Sequence, residues 1–398
     1  MPINYQEVYT QIKEIGKGAK ERRKKKEEAQ ASARGLLNTY ASELDFLRSK
    51  VDTAKQADSN IRCALPLNEP LDSHFAHPIP APVKDAALIA ADGSQINPDR
   101  HAATQFCVVN VGAIQMKLNS GETPEIFTET DLMYGDALLP NGFPLSDGMV
   151  ALQRDLKERA KLDELSKGIK GPVVTFTDGP IELWGAKGED ANAYAEFVQK
   201  YLGVLSRLQT RGVITAGYVD KPSADLVVRL LEIATVGQID NLSHLREFHP
   251  LRGVSDRWLF GEKEKPLLPP GHRSAVFGIQ SSSEKTYKNA LSLHFFYLNV
   301  GTEGHPWPVR VEVPKWVVDD KEKLDLLHAV LVEQCRMMGS RPYPYLLHRA
   351  HETAVVSQEE KYQIEQMLQQ ELRRNNEEID EGSNKQSAKD LKGRGSYK

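Results

Sequence analysis

The stretch Ala86-Ala87-Leu88-Ile89-Ala90-Ala91-Asp92-Gly93-Ser94 decides the reading of this chain. A continuous apolar run closed by Asp-Gly-Ser is the pattern of a strand buried on both faces and ending in a turn. The pattern returns at Pro172-Val173-Val174-Thr175-Phe176-Thr177-Asp178-Gly179-Pro180. Between the two lie a second strand, 105–118, and a helix over 147–165. Beyond them come a helix at 191–209, a strand at 212–219 and a helix at 224–234. Strands alternating with helices argue for an α/β layer architecture.

Outward from this core the texture changes. Segments 274–279, 292–299 and 309–317 read as strands without long helices between them, so 240–318 is expected to be an antiparallel insertion. Helices at 319–338 and 346–373 close the folded part. On the N-terminal side, Leu37, Tyr40, Leu44, Leu47 and Val51 recur in steps of three and four, a helical seam. Residues 1–63 are therefore expected to be a helical region, with one or two long helices over 5–57, and the proline-rich 64–84 a linker. The core domain is expected over 85–373 and a basic, flexible tail over 374–398. There are no internal repeats.

Composition narrows the class. The chain has 398 residues, 40% hydrophobic and 27% charged, which excludes a wholly disordered or collagen-like protein. No apolar stretch approaches the roughly 18 residues of a membrane span, and the N-terminus lacks a signal core. A cytoplasmic location without membrane attachment is expected. Cys63, Cys107 and Cys335 are odd in number and widely spaced, which argues against a disulfide framework or a cysteine zinc site. The net charge of −4 hides a basic patch, with eight Lys or Arg against four Glu over 11–30. Such a patch can hold phosphates by counterion release, or be a solvated helix face.

The candidate chemistry follows from the two Asp-Gly ends. Groups at the carboxyl ends of strands in an open α/β sheet face the usual ligand crevice. Asp92 and Asp178 with a third acid make an oxygen-rich site for Mn²⁺ or Mg²⁺. Two such ions about 4 Å apart can activate water and stabilise the leaving oxygen of a phosphodiester. Glu158 shares a helical face with Ala151, Leu162 and Leu165 and is the best third acid. A salt bridge to Arg154 is the competing reading, and Asp155 and Asp163 are the alternatives. His351 is suited to orient a phosphate or protonate a leaving group, since an imidazole can both take up and give up a proton under physiological conditions, with His348 as the alternative. Lys221 follows a strand and an acid, beside Pro222, where a cation could meet a phosphate. Tyr218 and Trp184 are candidate base-stacking groups. Arg310 and Glu312 share a strand face and pair with each other or serve a site.

Taken together, these segments resemble the NurA nuclease family, partners of HerA-type hexameric ATPases in DNA end processing. The resemblance rests on Ile89–Ser94, Arg154–Glu158, Phe176–Pro180, Ala216–Pro222, Asp256–Phe260, His294–Tyr297, Arg310–Trp316 and Tyr343–His351, in that order. It implies an RNase H-like core with a mixed sheet, an antiparallel insertion and an N-terminal helical extension. It also implies a clamp-like homodimer and Mn²⁺-dependent cleavage of DNA, as a 5′–3′ exonuclease and single-strand endonuclease, in repair or phage defence. Asp92, Glu158 and Asp178 fall on the family's metal ligands and His351 on its histidine. Arg273, with Lys221, is carried over as a DNA contact. The chain departs from the family at Asp178-Gly179-Pro180, where many relatives have Asp-Gly-Ser. A second reading is an assembly subunit that binds DNA and the ATPase without cutting. No G-x-x-x-x-G-K-[ST] motif occurs, so ATP-driven translocation is expected from a partner.

Overall fold

A computed structural model of the chain describes residues 3–77, 86–184, 191–237, 245–377 and 379. In chain order its helices are α1 (Tyr5–Lys17), α2 (Ala19–Tyr40), α3 (Leu44–Ala57), α4 (Asp147–Leu165), α5 (Ala191–Thr210), α6 (Leu226–Thr235), α7 (Asp256–Phe260), α8 (Lys315–Val318), α9 (Lys321–Arg336), α10 (Tyr345–Ala354) and α11 (Gln358–Arg374). Its strands are β1 (Cys63–Pro66), β2 (His74–Phe75), β3 (Ala87–Ile96), β4 (Phe106–Lys117), β5 (Glu125–Tyr134), β6 (Val173–Asp178), β7 (Ile214–Val219), β8 (Arg273–Ser274), β9 (Phe277–Gln280), β10 (Leu293–Asn299) and β11 (Pro308–Pro314). The chain divides into two compact units, Met1–Ile79 with Tyr218–Pro342, and Pro80–Gly217 with Tyr343–Lys398.

The second unit carries the acids. Its strands lie in the order β5-β4-β3-β6-β7. The first three are antiparallel, and β3 runs parallel to β6. This is the mixed sheet of an RNase H-like core, the fold class expected above. The register fixes which side chains share a face, because residues opposite one another on paired strands point the same way. Asp92 is opposite Gly112, and Ser94 opposite Asn110. A Cβ at Gly112 would lie 2.6 Å from the Ala350 carbonyl oxygen and 2.6 Å from the Ala354 nitrogen, so α10 rests directly on this face. Ser94 Oγ and Asn110 Nδ2 both donate to the Ala354 carbonyl, the latter at 2.8 Å. The chain beyond α10 extends the cover, with Val356 and, from α11, Ile364 and Leu368 packed on Ile96, Phe106 and Val108. Gly93 points to the opposite face, where a Cβ would meet Arg154 Cγ and Glu158 Oε1 of α4, each at 2.6 Å.

α4 starts where Ser146 caps it, accepting from the Met149 N–H. Its outer side is laced to β5: Lys157 pairs with Asp131, and Lys161 reaches Glu129 at 2.6 Å. β5 was not legible from apolar pattern, since its positions alternate between exposed and half-buried.

Three expectations need correction. β3 does not close in a turn at Asp92 but runs on to Ile96, because β4 pairs with it throughout. What stops is β6, whose register with β3 ends at Ala91 opposite Thr177. Asp92 therefore stands at a fork, where β3 loses one neighbour and keeps the other. The single closing helix at 346–373 is two helices. Ser357 breaks it with a capping box, accepting from the Glu360 N–H while the Glu360 carboxylate accepts from the Ser357 N–H. The described part of the expected linker contains β1, antiparallel to β9, and β2, antiparallel to β8. Those partners lie some 200 residues away, beyond the reach of local composition. The tail expected over 374–398 lies almost wholly outside the described residues, with α11 ending at Arg374.

In the first unit, β10 is antiparallel to β9, β8 and β11. α3 packs on α6 and β1, burying Leu47, Val51 and Ala54. The seam read as continuous is interrupted between Tyr40 and Leu44, so 5–57 forms three helices. α1 buries no residue. No helix among the described residues is long and apolar enough to cross a membrane.

Candidate active site

Because Ala91 is opposite Thr177 on parallel strands, the next residues, Asp92 and Asp178, stand where the two strands part. α4 brings Glu158 from the other face, past the gap that Gly93 leaves. Asp92, Asp155, Glu158 and Asp178 all line one cavity of about 290 Å³, together with Arg154, Gly179, Glu182, Trp184 and Tyr201. From α10, His351 Nδ1 is hydrogen-bonded to Asp92 Oδ2 at 2.7 Å. Asp92 Oδ1 accepts from the Gly93 N–H at 2.9 Å, which fixes the carboxylate from both sides.

Glu158 is 6% exposed. Burial, then the neighbouring charge of Asp155, pushes its carboxyl well above the usual range, while Arg154 works against that rise. Glu158 faces the cavity, and its Oε1 lies 3.4 Å from Arg154 Nε. Asp155 also faces the cavity and accepts from Arg154 Nη2 at 2.8 Å. Asp163 is removed as an alternative, because its carboxylate is taken by Arg207 and Arg211. His348 pairs with Glu352, at 3.4 Å, rather than with an acid of the cavity.

The proposed DNA contacts divide differently. Tyr218 and Arg273 are corrected: Tyr218 is fully buried beside Cys335, and Arg273 is buried over the Phe75 ring near Glu69, so neither offers a surface to a base or phosphate. Their flanking strands hide them, which residue type alone does not reveal. Lys221 is exposed, in the other unit. Trp184, 59% exposed, lines the acid cavity. Arg310 and Glu312 form a buried ion pair at 2.8 Å. Sequence reasoning missed Arg159, whose guanidinium is buried and donates to Thr177 Oγ1 at 2.5 Å, Thr215 Oγ1 at 3.1 Å and the Ala216 carbonyl at 3.2 Å. It ties α4 to β6 and β7 one residue from Glu158. An arginine at that point of a helix looks solvent-exposed in sequence, so no signal marked it.

The donor chemistry of the cavity suits a hard divalent cation, being carboxylate oxygen throughout. Among the described residues, however, no group of three or more His, Cys, Asp or Glu side chains is arranged to hold a metal ion. Asp155 and Glu158 are turned onto Arg154, and Asp92 onto His351.

Acids gathered where the parallel strands of an RNase H-like sheet part form the candidate active site of this protein. Residues 86–356 match the NurA domain, so the chain belongs to the NurA domain family. No curated protein sequence matches it. Among solved structures, the NurA nuclease from Sulfolobus solfataricus is 12% identical, with 85% of this chain and 94% of that chain covered, at a TM-score of 0.45. The catalytic domain of human Endonuclease V is 14% identical over 81% of this chain and 98% of that one, at a TM-score of 0.32.

Proposed function

We propose that the chain is a metal-dependent DNA nuclease that hydrolyses phosphodiesters at the acid cavity of its second unit. The observation that carries this reading is the meeting of Asp92, Glu158 and Asp178, from three separate elements, on one cavity. These three residues would hold Mn²⁺ or Mg²⁺, in a pair of ions. The bound metal supplies an activated water and charge stabilisation at the phosphate.

The chain's own groups do the rest. Asp92 holds His351 by its Nδ1, which leaves Nε2 to face a scissile phosphate or its leaving oxygen. Gly93 keeps the space between the two faces open to Glu158. Trp184, at the cavity wall, offers a ring on which a base can stack. Assembly as a homodimer, and work under a HerA-type hexameric ATPase in end processing or phage defence, complete the proposal. Exposed Tyr5, Val8, Tyr9, Ile12 and Ile15 on α1 support its assembly part.

The test is cleavage of end-labelled single- and double-stranded DNA with MnCl₂, with and without the ATPase, by wild type, Asp92→Asn and Asp178→Asn. Cleavage by wild type and its loss in both variants, with unchanged circular dichroism, is expected. Wild-type rates in both variants would remove the metal assignment, and no cleavage by wild type with or without the ATPase would leave the non-cutting assembly subunit as the better reading.

A further inference from the structure

Arg154 lies among the acids of the cavity rather than at its rim. Its Nη2 donates to Asp155 Oδ1 at 2.8 Å and its Nε to the same oxygen at 3.2 Å. The Nε also lies 3.4 Å from Glu158 Oε1. Its stem fills the space above Gly93, where a Cβ would meet Cγ at 2.6 Å and Cδ at 3.1 Å. A side chain at position 93 would therefore displace the arginine and the glutamate together. The cavity's other arginine, Arg159, is committed to Thr177, Thr215 and Ala216. Arg154 is thus the guanidinium that faces Asp155 and Glu158, with Asp92 on the adjoining strand residue.

One positive charge serves two carboxylates, hydrogen-bonded to Asp155 and 3.4 Å from Glu158, and so competes with a cation for them. A guanidinium and a divalent ion compete for the same carboxylate, since like charges a few ångströms apart in a partly buried site repel.

We propose that Arg154 is the resident counter-cation of the acid cavity: it holds Asp155 and Glu158 in place, and a divalent ion that takes the Glu158 carboxylate releases the guanidinium. The proposal rests on reading the cavity as a metal-dependent nuclease site, and it adds a positioning residue whose release accompanies metal entry. Arg154 thereby sets the metal affinity of the free enzyme, and it keeps the buried Glu158 from standing unpaired when metal is scarce.

The test uses the full chain without DNA. Titration calorimetry with MnCl₂ compares wild type, Arg154→Gln, which keeps a donor and loses the charge, and Arg154→Lys, which keeps the charge. Arg154→Gln is expected to bind Mn²⁺ roughly tenfold tighter or more, with Arg154→Lys staying near wild type. A second measurement needs no variant. Phenylglyoxal labelling of wild type, read by peptide mass spectrometry, is expected to show Arg154 becoming several-fold more reactive at saturating MnCl₂. Equal Mn²⁺ affinity in wild type and Arg154→Gln, or labelling of Arg154 indifferent to Mn²⁺, would overturn the role of Arg154 and leave the nuclease reading standing. If neither protein binds Mn²⁺, both fall.

Discussion

Gly112→Ala tests how the position of a helix reaches the chemistry. The added methyl would stand 2.6 Å from the Ala350 carbonyl oxygen, 2.6 Å from the Ala354 nitrogen and 2.8 Å from Thr353 Cβ. Two of these are backbone atoms, so no side chain can swing aside, and α10 must lift off β4. Restoring ordinary contact distance needs a shift of about 0.8 Å. His351 follows Ala350 directly, and its bond to Asp92 is 2.7 Å. The same shift would stretch that bond to about 3.5 Å, beyond hydrogen-bonding range. Overpacking of this kind costs about 1–3 kcal/mol in stability. A misplacement near 1 Å at a reacting group costs on the order of 10²-fold in rate. The assay pairs urea unfolding with single-turnover cleavage of labelled single-stranded DNA. The control is Gly35→Ala in α2, where nothing lies within 4 Å of the new methyl. It should stabilise by roughly 0.5–1 kcal/mol, as a helix-interior glycine replaced by alanine does, and leave cleavage alone. If Gly112→Ala unfolds and cuts like wild type, α10 does not set the geometry of the site and the reasoning fails.

Three further outcomes follow from particular groups. His351→Ala should lower the cleavage rate by about 10²–10⁴-fold while Mn²⁺ affinity holds; restoration of the rate by excess Mn²⁺ would instead make His351 a ligand. Removing residues 3–17 should leave the unfolding free energy within about 0.5 kcal/mol of wild type, because α1 buries nothing, and a fall of several degrees in melting temperature would contradict this. His328 is buried with Nε2 2.8 Å from the Gly271 carbonyl oxygen, and burial, helped by Arg273 and His77, pulls its pKa down to about 4. Unfolded histidine titrates near 6.5, so the unfolded chain takes up the proton first. The stability this neutral ring contributes is full above about pH 6.5 and is lost as pH falls towards 4. His328→Gln should flatten that limb in urea midpoints measured from pH 7 to 4, and an unchanged slope would refute the assignment.

Much of the second unit could be read from sequence because its signals are local. α4 was located over 147–165, where a polar cap precedes a helical pattern. Glu158 stood out as an acid on a half-apolar stripe, and it is buried. Asp92 and Asp178 stood out as acids after apolar runs, and they line one cavity. What was not legible depends on partners far along the chain. β1 and β2 looked like linker because the strands they pair with lie in another part of the sequence. Tyr218 and Arg273 looked available because nothing local says that both are enclosed. β5 was missed because an edge strand facing solvent lacks the apolar alternation that reveals a half-buried one. The break before α11 is a different case: Ser357 and Glu360 spell a capping box, a signal present in the sequence and simply overridden by the helical pattern on either side.

The lysine lacing between α4 and β5 has a consequence for how the molecule behaves in crowded solution. β5 closes its end of the second unit's sheet over ten residues, and a strand of that length with an open edge is a template on which other chains can polymerise. Here Glu129 and Asp131 turn towards α4 and are held by Lys157 and Lys161. An incoming strand would have to lie against a row of charge already satisfied by its own helix. The ion pairs that steady the helix bearing Glu158 thus also guard the border of the sheet against runaway self-assembly, and high salt, by loosening them, would weaken both duties at once.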